Sequence, residues 1–374
     1  MTPRPATVVR RAPGKLFVVG EFAVVEAGTP AILVAVDRYV TVTVSGNTSA
    51  GVVISTDLGS SGVRWRWRAG RLHACDDEHP AGLTHVVSAI EVVSGLLAER
   101  GLAAPAMSVS VRSELHDNGT KFGLGASGAV TVATVAAVSS FCGLELSADT
   151  RFRLAVLATA GIDVRASCGD LAASTWGGWL EYRSPDRAAV LDLLLRRGVE
   201  ETLRVPWPGF GVRRLPPPEG LSLEVGWTGT PAVTTARVAD LYRRPWRGSE
   251  SHRGFVATTT ECVRASVSAL ERGDRHSLQD QIRCARRELS RLDDEVGLGI
   301  FTTGLTRLCE VAEAVGGAAK PSGAGGGDCG IALLPADAAR DISDVRGRWA
   351  EVGVRHLPIR PTVERNEDDE PAQG

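Results

Sequence analysis

The chain has 374 residues, of which 43% are hydrophobic, and a formal net charge of −2 with acidic and basic residues mixed along its length. This length is sufficient for two domains or one large one, and the balanced charge argues against nucleic acid or an anionic membrane as a main partner. The seven cysteines include no Cys-x-x-Cys pair, and the sequence shows neither a signal peptide nor an apolar run of about 18 residues. These features predict a cytoplasmic protein without a membrane partner. We expect it to be a monomer or a homodimer.

Strands and helices alternate irregularly through the first half of the chain. In chain order, the patterns predict strands at 8–20, 31–44 and 63–68, a helix at 82–100, a strand at 106–111, helices at 126–142, 151–160 and 171–175, a strand at 178–182 and a helix at 186–203. The first strand is interrupted by a turn at residues 12–14. The helix at 126–142 is so rich in Ala and Val that we expect it to be buried.

A proline-rich stretch divides the chain, because residues 206–220 contain five prolines and are the predicted linker. After it, the patterns predict a strand at 221–227, helices at 234–242, 254–271, 277–292 and 302–315, a strand at 330–334, a helix at 336–352 and a strand at 354–359. These elements favour an α+β fold with two domains. The predicted domains cover residues 1–187 and 188–363, and a disordered acidic tail covers residues 364–374.

Only three of the 42 basic residues are lysines, and each lies in or beside a glycine-rich turn: Lys15 within 12–21, Lys121 before 123–128 and Lys320 before 322–330. Glycines let a backbone approach a ligand closely, and a compact ammonium fits beside an anion where a guanidinium does not. The three segments therefore predict one polyphosphate pocket. The alternative is that the glycines only form turns and the lysines lie beside them by chance.

The segment Gly123-Leu124-Gly125-Ala126-Ser127-Gly128 leads directly into the apolar helix predicted at 126–142. A glycine turn at a helix N-terminus presents free N–H groups and the positive end of the helix dipole to a phosphate. The spacing is neither that of a Walker loop nor that of a dinucleotide fingerprint. Ser127 would offer its hydroxyl to a phosphate or to Mg²⁺, or alternatively would only cap the helix.

The segments at 12–25, 123–129 and 322–330 resemble the three motifs of the superfamily of galactokinase, homoserine kinase, mevalonate kinase and phosphomevalonate kinase (the GHMP kinases). They occur in the order found in that superfamily and span nearly the whole chain. The resemblance implies an enzyme that uses ATP and Mg²⁺. It also implies an N-terminal α+β domain with an atypical phosphate loop and a ferredoxin-like C-terminal domain.

Within this superfamily, the details are most similar to the phosphomevalonate kinases. Phe22 stands where mevalonate kinases usually have His, Lys121 precedes the second loop, the third motif closes with residues 328–330, and the segment at 226–232 is also similar. The resemblance implies transfer of the γ-phosphoryl of ATP to (R)-5-phosphomevalonate, giving (R)-5-diphosphomevalonate and ADP on the route to isopentenyl diphosphate. The alternatives are a mevalonate kinase, a diphosphomevalonate decarboxylase, or a non-catalytic relative that binds small anions.

Such a reaction joins two anions, so fixed cations and Mg²⁺ are needed to offset their repulsion. We place Lys15 and Lys121 on the acceptor phosphate and the transferring phosphoryl. A phosphate monoester with a second pKa of about 6 is mostly dianionic at pH 7. A general base is therefore less necessary than for an alcohol acceptor.

The remaining site residues are implied by the resemblance. Asp170 falls on the position of the catalytic Asp of mevalonate kinases, where it would orient the acceptor, balance Lys15, assist the metal or only cap a helix. Thr159 replaces the Mg²⁺-binding Glu of those enzymes, and Asp163 is the nearest carboxylate. The predicted ATP contacts are Gly123, Leu124, Gly125, Ala126, Ser127 and Gly128, with Ser127 also on Mg²⁺. The predicted substrate contacts are Lys15, Ser167, Ser322, Gly323, Ala324 and Gly325; the alternative for Ser167 is that it only caps the helix.

Overall fold

Two long antiparallel strands lie at the centre of the larger sheet. The computed structural model describes residues 6–57, 59, 62–75, 82–232, 241 and 243–362, and in it β1 (Thr7–Val19) pairs with β2 (Pro30–Gly46). The predicted turn at residues 12–14 was wrong, because β1 continues there through a register shift between Pro13 and Gly14. Proline lacks an N–H for the ladder, and a Cβ on Gly14 would lie 2.8 Å from the Leu124 carbonyl oxygen.

The other strands are shorter. They are β3 Val52–Thr56, β4 Val63–Arg68, β5 Arg71–Ala74, β6 Met107–Ser113, β7 His116–Asp117, β8 Thr120–Lys121, β9 Trp179–Arg183, β10 Gly211–Leu215, β11 Leu221–Trp227, β12 Ala318–Pro321, β13 Cys329–Pro335 and β14 Arg355–His356. Eight described strands form the larger sheet in the order β10-β9-β2-β6-β3-β4-β5, with β1 also pairing with β2. The pair β3 and β6 is parallel.

Most helices lie in layers on this sheet. They are α1 Thr84–Glu99, α2 Ala126–Phe141, α3 Ala148–Ala160, α4 Gly169–Trp176, α5 Arg187–Arg204, α6 Glu250–Glu271, α7 Arg275–Val296, α8 Thr303–Glu313 and α9 Ala339–Glu351. Helices α2 and α4 pack directly on β1 and β2, and α1 and α3 pack against α2. The prediction that the helix at 126–142 is buried is confirmed, since most side chains of α2 are buried. No helix in the described ranges is long and apolar enough to cross a membrane.

The second sheet has the order β12-β13-β11-β14 and belongs to the C-terminal half. Counted along the chain from β11, this is strand order 4-1-3-2, with α8 before the second strand and α9 before the fourth, the βαββαβ arrangement of a ferredoxin-like domain. Side chains of β13 alternate between two faces: Ala332 and Leu334 pack with α8 and α9, whereas Ile331 and Leu333 join the larger core. The expected α+β fold with a ferredoxin-like C-terminal domain is confirmed.

The linker predicted at 206–220 was wrong in part, because it contains β10. This strand pairs with β9 and so extends the larger sheet. The preceding helix, α5, packs against α1 and α3. We therefore propose that the N-terminal unit extends past the predicted boundary at residue 188 and ends between Leu215 and Leu221.

The other predicted strands and helices differ from the observed ones mainly at their ends. The last strand is shorter than predicted, covering only Arg355–His356. The short strands β3, β5, β7, β8 and β12 were not predicted. The helix predicted at 234–242 lies outside the described residues except at Leu241. The acidic tail predicted at 364–374 lies outside them entirely.

Candidate functional site

A two-residue hairpin turn places Lys121 two positions before the phosphate loop (residues 123–128). Strands β7 and β8 pair through a register in which His116 faces Lys121. The two turn residues have positive φ, 47° at Asn118 and 81° at Gly119, as type I′ hairpins require. Lys121 is exposed at the end of this hairpin.

The phosphate loop ends in the N-terminus of α2. Gly125 is the N-cap, in the left-handed conformation with φ 75°, and no side chain caps this end. The alternative that Ser127 caps the helix is therefore wrong; Ser127 is exposed in the first helical turn. Because the first N–H groups of a helix have no partner within it, this turn offers donors and the positive end of the dipole to an anion.

Two glycines of the loop leave room for charged side chains. A Cβ on Gly125 would lie 2.9 Å from Cγ of Lys15 and 3.3 Å from Cβ of Asp170. A Cβ on Gly128 would lie 2.5 Å from Oδ2 of Asp170. Lys15 and Asp170 thus lie against the same turn, and the structure brings these two predicted catalytic residues together at the phosphate loop.

The Lys15 ammonium is directed at the loop. The residue is 8% exposed on β1, and its Nζ donates to the Gly123 carbonyl at 3.4 Å. The ammonium also lies 5.2 Å from the centre of the Phe17 ring. Within the described part of the chain, no carboxylate forms an ion pair with Lys15, so its charge is available to an anion in the loop.

Asp170 is a partly buried carboxylate in the first turn of α4. The N-cap of this helix is Cys168, with φ 61°, so the alternative that Asp170 is the cap is wrong. Its Oδ1 accepts the neighbouring Leu171 N–H at 3.0 Å, while Oδ2 is the atom closest to the Cβ position of Gly128. The carboxylate therefore lies beside the positive end of the α2 dipole.

His85, in the first turn of α1, is a member of this site that the sequence did not indicate. Its Nδ1 lies 3.4 Å from Oγ1 of Thr131, which itself donates to the Ser127 carbonyl at 2.7 Å. Burial lowers the pKa of His85, Lys121 lowers it further, and Asp170 opposes both. The net lowering of the pKa favours the neutral form of the ring. A single His carries no periodic or spacing signal from which this position could have been found.

The third glycine motif contributes Gly323 to the site. A Cβ on Gly323 would lie 4.0 Å from Nζ of Lys15. By contrast, the Ser322 hydroxyl accepts the Phe17 N–H at 2.9 Å and donates to the Phe17 carbonyl at 3.0 Å. The predicted contact of the Ser322 side chain with substrate is therefore not supported, because this buried hydroxyl links β1 to the third motif.

At two further predicted substrate contacts, Ala324 and Gly325, the Cβ position faces hydrophobic residues and not Lys15. Ala324 is 8% exposed and packs in a hydrophobic cluster with Phe22 and Trp246. A Cβ on Gly325 would lie 2.5 Å from Ile300. A substrate contact from these two positions would have to use the backbone.

Lys320 is not part of the anion pocket, and that part of the prediction was wrong. Its side chain is fully buried, and its ammonium forms an ion pair with Glu21 and donates to the Pro321 carbonyl at 2.7 Å. The same Glu21 oxygen accepts the Gly323 N–H at 3.3 Å. The pair therefore attaches the third motif to the end of β1 instead of binding a ligand.

The remaining predictions concern Ser167 and the metal. Ser167 precedes α4, its hydroxyl accepts the Gly169 N–H at 3.4 Å, and its carbonyl accepts the Tyr182 hydroxyl at 2.7 Å. The Asp163 carboxylate accepts three hydrogen bonds from Arg165, two from the guanidinium at 2.8 and 3.1 Å and one from the backbone N–H at 3.0 Å, so it is not a free metal ligand. Burial alone would raise the pKa of Asp163, but the hydrogen bonds from Arg165 lower it below its usual value.

Two family models match the chain: GHMP kinases N terminal domain at residues 85–178 and GHMP kinases C terminal at residues 266–351. The chain is 64% identical to the phosphomevalonate kinase of Streptomyces sp. (strain CL190) over 97% of this chain and 100% of that relative. The Lin0012 protein from Listeria innocua superposes with a TM-score of 0.88 at 32% identity, covering 96% and 99% of the two chains. The phosphomevalonate kinase of Streptococcus pneumoniae, solved with phosphomevalonate and AMPPNP, superposes with a TM-score of 0.81 at 26% identity over 95% and 100%. The chain belongs to the GHMP kinase family.

Proposed function

We propose that this chain is a phosphomevalonate kinase, which transfers the γ-phosphoryl of ATP to (R)-5-phosphomevalonate and releases (R)-5-diphosphomevalonate and ADP. The observation that carries the chemistry is the convergence of the Lys15 ammonium and the N-terminus of α2 on the phosphate loop. The 64% identity to a phosphomevalonate kinase over nearly the whole chain supports the choice of acceptor. A cytoplasmic location and a monomeric or homodimeric state stay predictions.

The charges of the site suit a reaction between two anions. The first turn of α2 would bind the ATP phosphates through backbone N–H groups and the helix dipole. Lys15 would bridge the acceptor phosphate and the transferring phosphoryl. The exposed Lys121 would neutralise phosphate charge from the solvent-exposed side of the phosphate loop. Fixed cations of this kind stabilise the transition state without reorganising during the reaction.

Asp170 would act as a counter-charge and an orienting group. Its carboxylate lies against the first turn of α2 at Gly128, and the Lys15 side chain lies against the same turn at Gly125. The acceptor phosphate is already mostly dianionic at pH 7, since its second pKa is about 6. Asp170 then does not have to remove a proton. Its role would be to keep Lys15 and the phosphate loop in their arrangement.

Magnesium fits this site as an ion carried by ATP. Mg²⁺ usually keeps several waters and is bound through one or two carboxylates together with substrate phosphates. The exposed Ser127 hydroxyl in the first turn of α2 and the Asp170 carboxylate of α4, which packs against that turn at Gly128, would hold it. Thr159, at the position of the family's Glu, is 7% exposed and its hydroxyl has no hydrogen-bond partner among the described residues. When bound, the ion would neutralise the phosphate oxygens.

The proposal is tested by offering the purified protein Mg·ATP with mevalonate or with 5-phosphomevalonate, and following ADP release and product mass. We expect diphosphomevalonate from the phosphorylated acceptor and no product from mevalonate. Lys15→Met, prepared in the same way, controls for contaminating kinases. Turnover of mevalonate, release of CO₂, or ADP from neither acceptor would each contradict the proposed function.

A further inference from the structure

Asp328 lies where three segments of the site meet. It follows three consecutive glycines and has a left-handed backbone with φ 54°, which is uncommon for a residue other than glycine. The residue is only 8% exposed. A strained, buried carboxylate next to a binding loop is maintained only where the surrounding structure determines its position, and such strain concentrates at functional sites.

Four hydrogen bonds join Asp328 to the segment 228–232, which we call the entrance loop. The Asp328 N–H donates to the Thr230 carbonyl at 2.7 Å, and its carbonyl accepts from the Thr228 N–H at 3.0 Å and the Thr228 hydroxyl at 3.2 Å. Its carboxylate accepts the Ala232 N–H at 3.0 Å. Because residues 229–231 are exposed, these bonds attach a surface loop to the interior of the site.

The same carboxylate packs against the phosphate loop. A Cβ on Gly123 would lie 2.3 Å from Cγ and 2.5 Å from Oδ2 of Asp328. The carbonyl of Gly123 is the group that accepts the Lys15 ammonium. Gly123 is therefore enclosed between Asp328 and Lys15, and a shift of Asp328 would be transmitted to the catalytic cation.

We propose that Asp328 is a positioning residue: it fixes the entrance loop and Gly123 in one arrangement, and thereby directs Lys15 at the transferring phosphoryl. This inference rests on the proposed function. Since Asp328 acts through Lys15, its loss lowers kcat more than it raises KM for ATP. The hydrogen-bonding oxygen is the essential feature, so asparagine can replace aspartate and alanine cannot.

The test compares Asp328→Ala, Asp328→Asn and a control, Asp337→Ala, at an exposed carboxylate near the end of β13. Hydrogen–deuterium exchange of the peptide containing 226–232 reports the attachment of the entrance loop without any substrate. We expect exchange to be roughly tenfold faster in Asp328→Ala, because the Ala232 N–H loses its acceptor. Asp328→Asn and the control should exchange like the wild type.

Steady-state kinetics give the second readout. We expect Asp328→Ala to lower kcat by about 10–100-fold, as small displacements of catalytic groups do, with KM for ATP changed less than about threefold. Asp328→Asn should retain most of kcat. If Asp328→Ala does not fold, Thr228→Val removes the 3.2 Å hydroxyl bond alone and should shift both readouts in the same direction, by smaller amounts.

Three results would overturn the inference: unchanged exchange in Asp328→Ala, wild-type kcat in that variant, or an Asp328→Asn variant as slow as Asp328→Ala. Failure of the proposed function is recognised separately, from a wild-type protein that does not phosphorylate 5-phosphomevalonate. The exchange experiment then still decides whether Asp328 fixes the entrance loop.

Discussion

Glycine at position 125 explains why the adjacent cation is a lysine in a chain whose basic residues are, with three exceptions, arginines. The aliphatic stem of Lys15 passes so close to Gly125 that Cγ and Cε lie 2.9 and 3.0 Å from where a Cβ would be. A planar guanidinium is wider than an ammonium and needs a fork of acceptors. Lys121, by contrast, is exposed, and its surroundings place no such limit on shape.

Substitutions at the two lysines should therefore differ in how far arginine can replace them. We expect Lys15→Met and Lys121→Met each to lower kcat by more than about tenfold, because each removes a fixed cation from the transition state. Lys15→Arg should stay defective, whereas Lys121→Arg should recover most activity. Steady-state kinetics measure kcat for each variant, and thermal unfolding controls for loss of folding. Full activity in either methionine variant would contradict the roles given to these cations.

Asp170→Asn tests whether the site needs a general base. Positioned bases contribute about 10²–10⁴-fold, so we expect a loss smaller than about 100-fold if Asp170 is a counter-charge. The pH profile gives the sign: kcat should fall below about pH 6 in both proteins, because the acceptor phosphate becomes monoanionic there. Profiles from pH 5 to 9 measure it. A loss near 10⁴-fold with intact folding, or a low-pH limb that disappears in the variant, would identify Asp170 as the base.

Helices and long strands of this fold could be predicted from the sequence, whereas burial of single charges could not. The Ala- and Val-rich run of α2 has no polar face, so its burial follows from composition. Strand β10 was hidden by the prolines on both sides of it. Lys320 and Lys15 both have glycine neighbours, yet of the two only Lys320 has a carboxylate partner among the described residues, and this partner, Glu21, lies 299 positions away. No local pattern reports such a long-range pair.

Helices α6 and α7 carry a pair of thiols that should be oxidisable. Sγ of Cys262 lies 2.9 Å from Sγ of Cys284 across the helix pair. Diamide accepts two electrons and two protons from such a pair and leaves a disulfide. Because the closed loop spans 22 positions, the cross-link should stabilise the protein by about 3 kcal/mol.

Thermal unfolding before and after diamide, with peptide mass mapping, measures this stabilisation. Cys262→Ser is the matched control and should show no shift in Tm. Burial raises the pKa of Cys262 to about 12, so the reaction should be slow at pH 7 and should accelerate as the pH rises. An oxidant-treated protein with both thiols still free would contradict this pairing.

The two halves of the molecule are joined at several points around the active site. Thr362 donates its N–H to the Ala35 carbonyl at 2.9 Å, and Arg355 pairs with Asp117 at 2.7 Å. The Ser322 hydroxyl bridges to Phe17, as described above. Asp117 belongs to the hairpin that carries Lys121, Phe17 belongs to the strand that carries Lys15, and Ala35 of β2 is the register partner of Lys15. The arrangement of cations is therefore a property of the whole chain and not of one domain.

A further connection between the two halves, the buried ion pair of Lys320 with Glu21, leads to the last prediction. Lys320→Met leaves Glu21, which is 3% exposed, without its cation, and the loss of one partner of a buried pair costs about 3–5 kcal/mol. The double variant Glu21→Gln/Lys320→Met removes both charges and should recover much of that stability. Arg307→Met is the control, because Arg307 pairs with Glu310 with 60% and 49% of the two side chains exposed and should change stability by less than about 1 kcal/mol.

Urea unfolding of these variants gives the free energies. Gly323 donates to Glu21 at 3.3 Å and lies beside Lys15, and glutamine keeps an acceptor oxygen for that N–H. The double variant should therefore retain kcat within about tenfold while the Lys320→Met variant loses stability. A double variant no more stable than Lys320→Met would show that the charge left at Glu21 is not what destabilises the single variant, and that the pair joins the two halves by packing alone.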